Sequence, residues 1–181
     1  VKSFGKLDFY KLDDSFLLPR IYVTNKITFA DNATDYLLNI IPKDTYIPKD
    51  TMILLKDAYR RDELAFLENL NTADRPKISF EKTNPALLKI HVANATAPFF
   101  LIFSETFHPQ WSASHSEPIP DNFHFMANGY ANGWYIDKLG DYTITLYFYP
   151  QSSLYLGTII SLSTLCIVTL IVILTIVRRW K

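Results

Sequence analysis

A stretch of 24 residues without a charged side chain, residues 154–177, places the strongest constraint on this chain. As an α-helix it is about 36 Å long, enough to cross the hydrocarbon core of a bilayer, which is about 30 Å thick. The stretch is followed directly by Arg178, Arg179, Trp180 and Lys181. A basic cluster after an apolar segment is typical of a transmembrane helix whose basic end lies in the cytoplasm. We therefore expect a cell-membrane protein with a single span, its N-terminal domain outside and its C-terminus cytoplasmic.

The distribution of charge disfavours one class of function. The net charge is zero, but three of the 18 basic residues lie in the tail, so 15 basic and 18 acidic residues precede it. A mildly acidic domain lacks the basic face that binding to nucleic acid requires. The expected partners are therefore the lipid bilayer and other transmembrane helices or membrane protein subunits, with a glycan as a further candidate and no nucleic acid.

The residues before the span are sufficient for one domain with its own core. Aromatic residues make up 15% of the chain, which is typical of a β-rich domain. The single cysteine, Cys166, lies inside the predicted span, so a disulfide within the chain is excluded. The chain starts at Val1 with neither a Met nor a signal peptide. Because an outer domain needs an export signal or an upstream span, we expect a processed product or the C-terminal part of a longer protein.

Short strand patterns with turn signals dominate the second half of the predicted outer domain. Apolar residues alternate over residues 77–82 and 87–92, whereas residues 98–103 (PFFLIF) form a continuous apolar run. Such a run indicates a central strand that is buried on both faces. The pairs Asn128-Gly129 and Asn132-Gly133 predict hairpin turns. The fold class that we predict is mainly β, an antiparallel jelly-roll-like β-sandwich with two short helices and one C-terminal transmembrane helix.

The two short helices are predicted near the N-terminus. Asp31 or Asn32 caps the first, which ends at Pro42, and the apolar spacing of residues 57–70 indicates the second. Residues 150–153 are expected to form a short link between the last strand and the span. The predicted division of the chain is an N-terminal strand and helix portion packing on the sandwich (1–75), the sandwich core (76–153), the transmembrane helix (154–177) and the cytoplasmic tail (178–181).

A series of short motifs carries a resemblance to a known family. They are Ser104-Glu105-Thr106, Pro109 with Trp111, Asn128-Gly129, Gly140, Tyr149-Pro150 and residues 157–161. In this order they resemble the C-terminal extracytoplasmic region of YfhO-like and arabinofuranosyltransferase-like multi-spanning membrane proteins. Residues 9–23 resemble that family's segment before the sandwich and residues 32–55 its helix–strand connector, so the resemblance covers nearly the whole chain. The resemblance implies a jelly-roll-like outer domain at the end of a lipid-linked glycosyltransferase whose chemistry lies upstream, so no catalytic residue is carried over. The chain departs from the family at Gln110, where a glycine is frequent.

Two groups of side chains are candidate sugar-contacting sites. One combines Glu105 with Trp111, and the other combines Tyr130 with Trp134. Aromatic rings stack on sugars, and a carboxylate binds sugar hydroxyls. The alternative for the first group is that Trp111 is a core anchor and that Glu105 pairs with a neighbouring turn.

Several further residues carry site predictions. Asn32 and Asn94 begin Asn-x-Thr sequons and are candidate N-glycosylation sites, although Asn32 alternatively serves only as a helix cap. Tyr155 is predicted to lie at the outer membrane interface, and Arg178, Arg179, Trp180 and Lys181 at the inner one. His108, His115 and His124 fit no metal-binding spacing, so we expect loop histidines, no metal and no cofactor.

These patterns lead to two hypotheses about function. The first is a non-catalytic, membrane-anchored extracytoplasmic domain, the carbohydrate-related accessory part of a membrane glycosyltransferase-like protein. The alternative is a single-span structural or accessory subunit of a larger membrane complex. The small residues Gly157, Ser161, Ser163 and Thr164 in the outer half of the span suit packing against another helix. No catalytic constellation is recognisable in the sequence.

Overall fold

The computed structural model describes residues 2–4, 7–9, 17–43, 47, 49–59, 67 and 75–180. Within them the protein is mainly β, with three antiparallel sheets, one parallel strand pair, short helical segments and a long C-terminal helix. The predicted fold class is confirmed at this level, and its jelly-roll-like detail stays a prediction. The strands are β1 Lys2–Phe4, β2 Leu7–Phe9, β3 Ile21–Thr24, β4 Lys26–Ala30, β5 Thr51–Leu55, β6 Lys77–Asn84, β7 Leu87–Ala95, β8 Phe99–Thr106, β9 Trp111–Ser114, β10 His124–Ala127, β11 Ala131–Ile136 and β12 Gly140–Phe148.

Two four-stranded sheets pack face to face around the main core. Their strand orders are β10-β11-β8-β3 and β6-β7-β12-β9, and all neighbouring strands in both are antiparallel. In β7, Leu88, Ile90 and Val92 are buried while Lys89 and His91 between them are exposed, as the alternating pattern predicts. The strand β3, from the N-terminal portion, forms the edge of the first sheet.

The strand β8 is buried on both faces, which confirms the prediction from its continuous apolar run. Leu101 and Phe103 point into the main core between the two sheets. Phe100 and Ile102 point to the other side, where they pack with Met52 of β5 in a second core. The parallel pair β4-β5 is therefore a third layer over the first sheet.

The two Asn-Gly pairs have different structures. Asn128 and Gly129 both have positive φ, 54° and 73°, and the Tyr130 amide donates to the Ala127 carbonyl at 3.1 Å, which is the predicted hairpin turn. The prediction of a turn at Asn132-Gly133 is wrong, because both residues lie within β11, at a β-bulge beside Asn132. Gly133 is required there by close packing, since an added Cβ would lie 3.0 Å from the Cβ of Ala127.

The first short helix starts at the predicted cap. Helix α1, Ala33–Asp35, continues as the π-helix Tyr36–Ile40, and the Asn32 side chain accepts a hydrogen bond from the Asp35 amide at 3.0 Å. Of the second predicted helix, residues 57–59 are described together with residue 67. A 3₁₀ turn, Lys56–Ala58, overlaps the start of the predicted helix and is followed by Tyr59 in an extended conformation. Residues 60–66 and 68–70 lie outside the described residues.

The C-terminal helix α2 spans Pro150–Arg179, 30 residues. The predicted link at residues 150–153 is wrong, because these residues form the first turn of the helix. Pro150 suits this position, since a first-turn residue needs no amide donor and proline has its φ already near the helical value. Among the described residues, α2 is the one helix that is long and apolar enough to cross a membrane, and its apolar segment is not buried inside the protein.

Candidate functional site

The junction between β12 and α2 joins the sandwich to the apolar helix through a single residue, Tyr149. The Tyr149 amide donates to the Gln110 carbonyl at 3.2 Å, and the Ser152 amide donates to the Tyr149 carbonyl at 3.0 Å. The Tyr147 hydroxyl lies 2.6 Å from the Ser152 hydroxyl oxygen, so a strand side chain is bonded to the first turn of the helix. These bonds leave the connection little freedom to bend.

The last residue of β12 is held by aromatic rings and a backbone bond. The ring of Phe148 lies 5.0 Å from the ring of Trp111 and 5.1 Å from the ring of His108. Its amide donates to the Ala86 carbonyl at 2.9 Å. Trp111 in turn makes an edge contact with Phe103 at 5.0 Å, within the main core. The start of α2 is thus fixed to the interior of the sandwich.

The two tryptophans predicted to contact sugar are core residues, which corrects that prediction. Trp111 is 9% exposed and Trp134 is 1% exposed. Both belong to the main core, and the ring of Trp134 is stacked on His124 at 4.5 Å. They point inward because their strand positions face the opposite sheet, so neither ring has a face open to a ligand. For Trp111 the alternative, a core anchor, describes the structure.

The other two candidate sugar contacts are accessible. The Glu105 carboxylate pairs with Arg20 at 2.7 Å, and both side chains are partly exposed, so the pair contributes little stability. Glu105 thus forms an ion pair, but its partner lies directly before β3 and not in a turn as the alternative had it. Tyr130 follows the Asn128-Gly129 turn and is exposed. A sugar contact by either residue stays a prediction, and it lacks the support of a neighbouring tryptophan face.

A buried asparagine that the sequence analysis missed organises this end of the first sheet. The Asn132 side-chain amide donates to the carbonyls of Glu105 at 2.9 Å and Thr106 at 3.2 Å. Its oxygen accepts from the His108 amide at 3.1 Å and lies 3.1 Å from the His124 Nε2. Burial lowers the pKa of His124. The spacing of the two Asn-Gly pairs was the available signal, because two turns four residues apart leave almost no strand between them.

Asn128, the other turn asparagine, joins the first sheet to the third layer. Its amide donates to the Ile53 carbonyl at 2.8 Å, and its side-chain oxygen accepts from the Ile53 amide at 2.9 Å. Its side-chain amide donates to the Tyr22 hydroxyl at 3.0 Å. Burial raises the pKa of that hydroxyl, so it stays protonated. Asn128 is therefore a structural residue and is not available to a ligand.

The histidines are dispersed and have structural contacts. The His108 Nδ1 accepts from the Gln110 amide at 3.2 Å, and the ring of His115 contacts Tyr142. Within the described part of the chain, no three His, Cys, Asp or Glu residues are placed to hold a metal ion.

Both sequon asparagines lie on the surface. Asn32 is exposed but uses its side-chain oxygen as the cap of α1. Asn94 is exposed, has a positive φ of 56°, and donates its backbone amide to the Asp141 carboxylate at 2.7 Å. Glycosylation at either position stays a prediction.

Five hydroxyl side chains of α2 form hydrogen bonds within the helix. The hydroxyls of Thr158, Ser163, Thr164, Thr169 and Thr175 each donate to the carbonyl four residues earlier, at 2.7–2.9 Å. Such bonding allows hydroxyl side chains to lie in hydrocarbon. The predicted interface residues Tyr155 and Trp180 are exposed near opposite ends of α2, Arg178 and Arg179 form its last turn, and Lys181 lies outside the described residues.

Comparison with known proteins gives no match: no family model, no curated protein and no solved structure is significantly similar to this chain. Its geometry is therefore the basis on which a function is inferred.

Proposed function

We propose that this chain is a membrane-anchored, non-catalytic β-domain that α2 holds against the outer surface of a bilayer. The observation that carries the proposal is the junction at Tyr149, where the last strand passes into the apolar helix with no linker. A tether would need a flexible segment, which lets a domain move away from its anchor. Here the sandwich is hydrogen-bonded both to Tyr149 and to the first turn of α2 at Ser152. Such a junction fixes the height and orientation of the domain above the membrane, which is what a positioning role requires.

The proposed orientation follows from charge. Residues 154–177 carry no charge, while Arg178, Arg179 and Lys181 lie together at the far end of the span. Basic residues are enriched on the cytoplasmic side of membrane helices, which supports a cytoplasmic C-terminus and an outer β-domain. Tyr155 near the domain and Trp180 at the tail suit the two membrane interfaces, where aromatic side chains concentrate.

Labelling with a membrane-impermeant maleimide tests the orientation. In a Cys166→Ser background, Ser79→Cys places a thiol at an exposed position of β6, and Trp180→Cys places one in the tail. In intact cells that make the protein, we expect the cysteine at position 79 to react and the one at position 180 to react only after permeabilisation. The reverse pattern would contradict the orientation, and a chain that does not float with membranes would contradict the anchoring itself.

We further propose that the domain is the accessory part of a membrane glycosyltransferase-like protein. The resemblance of its motifs to the C-terminal region of YfhO-like and arabinofuranosyltransferase-like proteins supports this role. Exposed Tyr130 and partly exposed Glu105 are the candidate glycan contacts. Binding to a glycan array should be lost in Tyr130→Ala and kept in Phe80→Ala, a matched change of another exposed aromatic residue. Absence of binding to any glycan would contradict the carbohydrate role and leave the anchoring untouched.

A single-span subunit of a larger membrane complex is the second candidate. The exposure of α2 along its whole length favours it, because the helix is open to other helices. A Cβ added at Gly157 would meet nothing within 4 Å, so the site has room for a close approach. Co-purification of partner proteins in mild detergent should decrease in Gly157→Leu and persist in Leu156→Ile. Unchanged co-purification in Gly157→Leu would contradict a helix contact at this position.

A further inference from the structure

The short helix that follows β4 exposes apolar side chains to solvent. Leu37, Leu38 and Ile41 are 57%, 68% and 43% exposed, while Ile40 is buried and Tyr36 packs beside it in a small third core. Single exposed apolar residues are ordinary, but three within five positions form a patch, and such patches mark interaction surfaces.

A series of contacts connects this patch to the start of α2. The ring of Tyr36 lies against the Asn128-Gly129 turn, because a Cβ added at Gly129 would be 3.9 Å from its Cε1. The carbonyl of Tyr130, the next residue, accepts from the Phe107 amide at 2.6 Å. The loop after Phe107 leads to Gln110, whose carbonyl accepts from Tyr149, the residue that precedes α2.

The strand directions place the patch at the same end of the domain. We call the end of the domain where α2 begins the near end, and the opposite end the far end. Because β8 leads to Gln110 at the near end, the near end of β3 is Ile21, paired with Phe103, and its far end is Thr24, paired with Phe100. The Thr24 hydroxyl donates to the carbonyl of Asp50, so β5 starts at the far end. It reaches the near end at Ile53, which bonds to Asn128. Because β4 is parallel to β5, it also runs toward the near end. The short helix that follows β4 therefore lies at the near end.

We propose that Leu37, Leu38 and Ile41, here called the docking patch, insert into the interfacial zone of the bilayer that α2 spans. The inference rests on the proposed function, since it requires α2 to be in the membrane. The bilayer is the expected partner because α2 leaves the domain at this end through a junction with no linker, which holds the surface at this end close to the lipid. Leucine and isoleucine are apolar side chains, and burial of their apolar area drives partitioning into this zone.

The charges near the docking patch indicate which lipids it binds. Asp31 is neutralised by Lys56 at 2.8 Å, and hydrogen bonds from Asn39 and the Asp31 amide lower the pKa of Asp35, which therefore stays ionised. Lys43 is exposed close to the patch. With acidic and basic groups both present, apolar insertion dominates and a zwitterionic membrane is sufficient. The patch is thus expected to bind phosphatidylcholine without anionic lipid.

Fluorescent labelling of the full chain in phosphatidylcholine vesicles tests this second contact. In the Cys166→Ser background, Leu38→Cys carries an environment-sensitive dye in the docking patch. Leu139→Cys is the matched control, because Leu139 is 56% exposed and precedes β12 at the opposite end of the domain. At position 38 we expect a blue-shifted emission that is quenched by shallow spin-labelled lipid. At position 139 we expect the emission of a dye in water, without quenching.

Flotation of the same vesicles separates the inference from the proposed function. Chains that float while the dye at position 38 stays unquenched would overturn the docking patch and leave the anchor intact. Chains that do not float would overturn the anchoring itself. Quenching at position 38 in a Leu37→Ser, Ile41→Ser variant that is equal to that of the parent would also overturn the inference. A dye that becomes shielded only after other membrane proteins are added would assign the patch to a protein partner, against the proposal.

Discussion

The sandwich and the C-terminal helix place the same kinds of side chain in opposite environments. Leu101 and Ile144 are fully buried between the two sheets, whereas Leu165 and Ile167 of α2 are exposed, as are all the apolar residues around them. Exposure of so much apolar surface to water is unfavourable. The sandwich therefore supplies its own apolar surroundings, and the helix depends on surroundings supplied by a bilayer or by other helices.

Polar groups follow the same division. In the sandwich, the buried amide of Asn132 bonds to residues distant in sequence, at Glu105 and Thr106. In α2, the Thr169 hydroxyl bonds to the carbonyl of Leu165, within the same helix. Substitutions in the sandwich should therefore change folding, and substitutions in the helix should change membrane insertion.

Removal of a core tryptophan should have the largest effect. Trp134→Ala deletes a fully buried ring that is stacked on His124, and we expect a loss of about 3–5 kcal/mol in the free energy of unfolding. Urea titration in detergent, followed by circular dichroism of the strands, measures it. The control Leu162→Ala, in α2, should change the same quantity by less than about 0.5 kcal/mol. Equal losses in the two variants would contradict the division between the regions.

A charge in the middle of α2 should impair membrane insertion and leave the stability of the sandwich unchanged. Leu165→Arg is expected to disfavour insertion by about 2.5–3.5 kcal/mol, because a central arginine loses its hydration. The fraction of chain that resists alkaline extraction from membranes measures it, with Leu165→Ala as the control that keeps the helix apolar. The unfolding midpoint of the sandwich should be unchanged. Full membrane retention of Leu165→Arg would contradict the expected cost of insertion.

The same substitution, glycine to alanine, should lower stability in the sandwich and raise it in α2. At Gly133 the new Cβ would lie 3.0 Å from the Cβ of Ala127 and 3.3 Å from the Cδ1 of Ile102, and we expect a loss of about 1–3 kcal/mol.

At Gly157 nothing lies within 4 Å, and alanine should stabilise the helix by about 0.5–1 kcal/mol. Urea titration measures the first effect, and the temperature at which α2 loses helical circular dichroism in detergent measures the second. A destabilised α2 in Gly157→Ala would indicate a contact at that position.

The smallest expected effect is a pH dependence that belongs to the sandwich alone. Burial lowers the pKa of His124 below its ordinary 6.5, so the unfolded chain binds this proton at a higher pH than the folded chain does. The contribution of His124 to stability is thus complete above pH 6.5 and decreases as the pH falls from there toward the folded pKa. Urea titrations across this window should show a shallower decrease for His124→Gln than for the parent. A slope for His124→Gln that is identical to that of the parent would contradict the assignment.

Local sequence determined the features that depend on local chemistry. The charge-free stretch and the Asn32 cap specify helices, the continuous apolar run specifies a strand buried on both faces, and the first Asn-Gly pair specifies a turn with two positive φ angles. Each follows from backbone conformation or from hydrophobic pattern within a few residues, so each could be read without knowledge of the fold.

Tertiary structure decided which aromatic and polar side chains are buried. Trp111 and Trp134 became core anchors, and the second Asn-Gly pair became part of β11, because the opposite sheet covers Trp134 and the carbonyls of β8 bond to Asn132. The start of α2 at Pro150 follows from Gln110 and Tyr147, whose bonds to Tyr149 and Ser152 leave no room for a link. Partners of this kind lie far apart in sequence, so only the packing of the sheets brings them together.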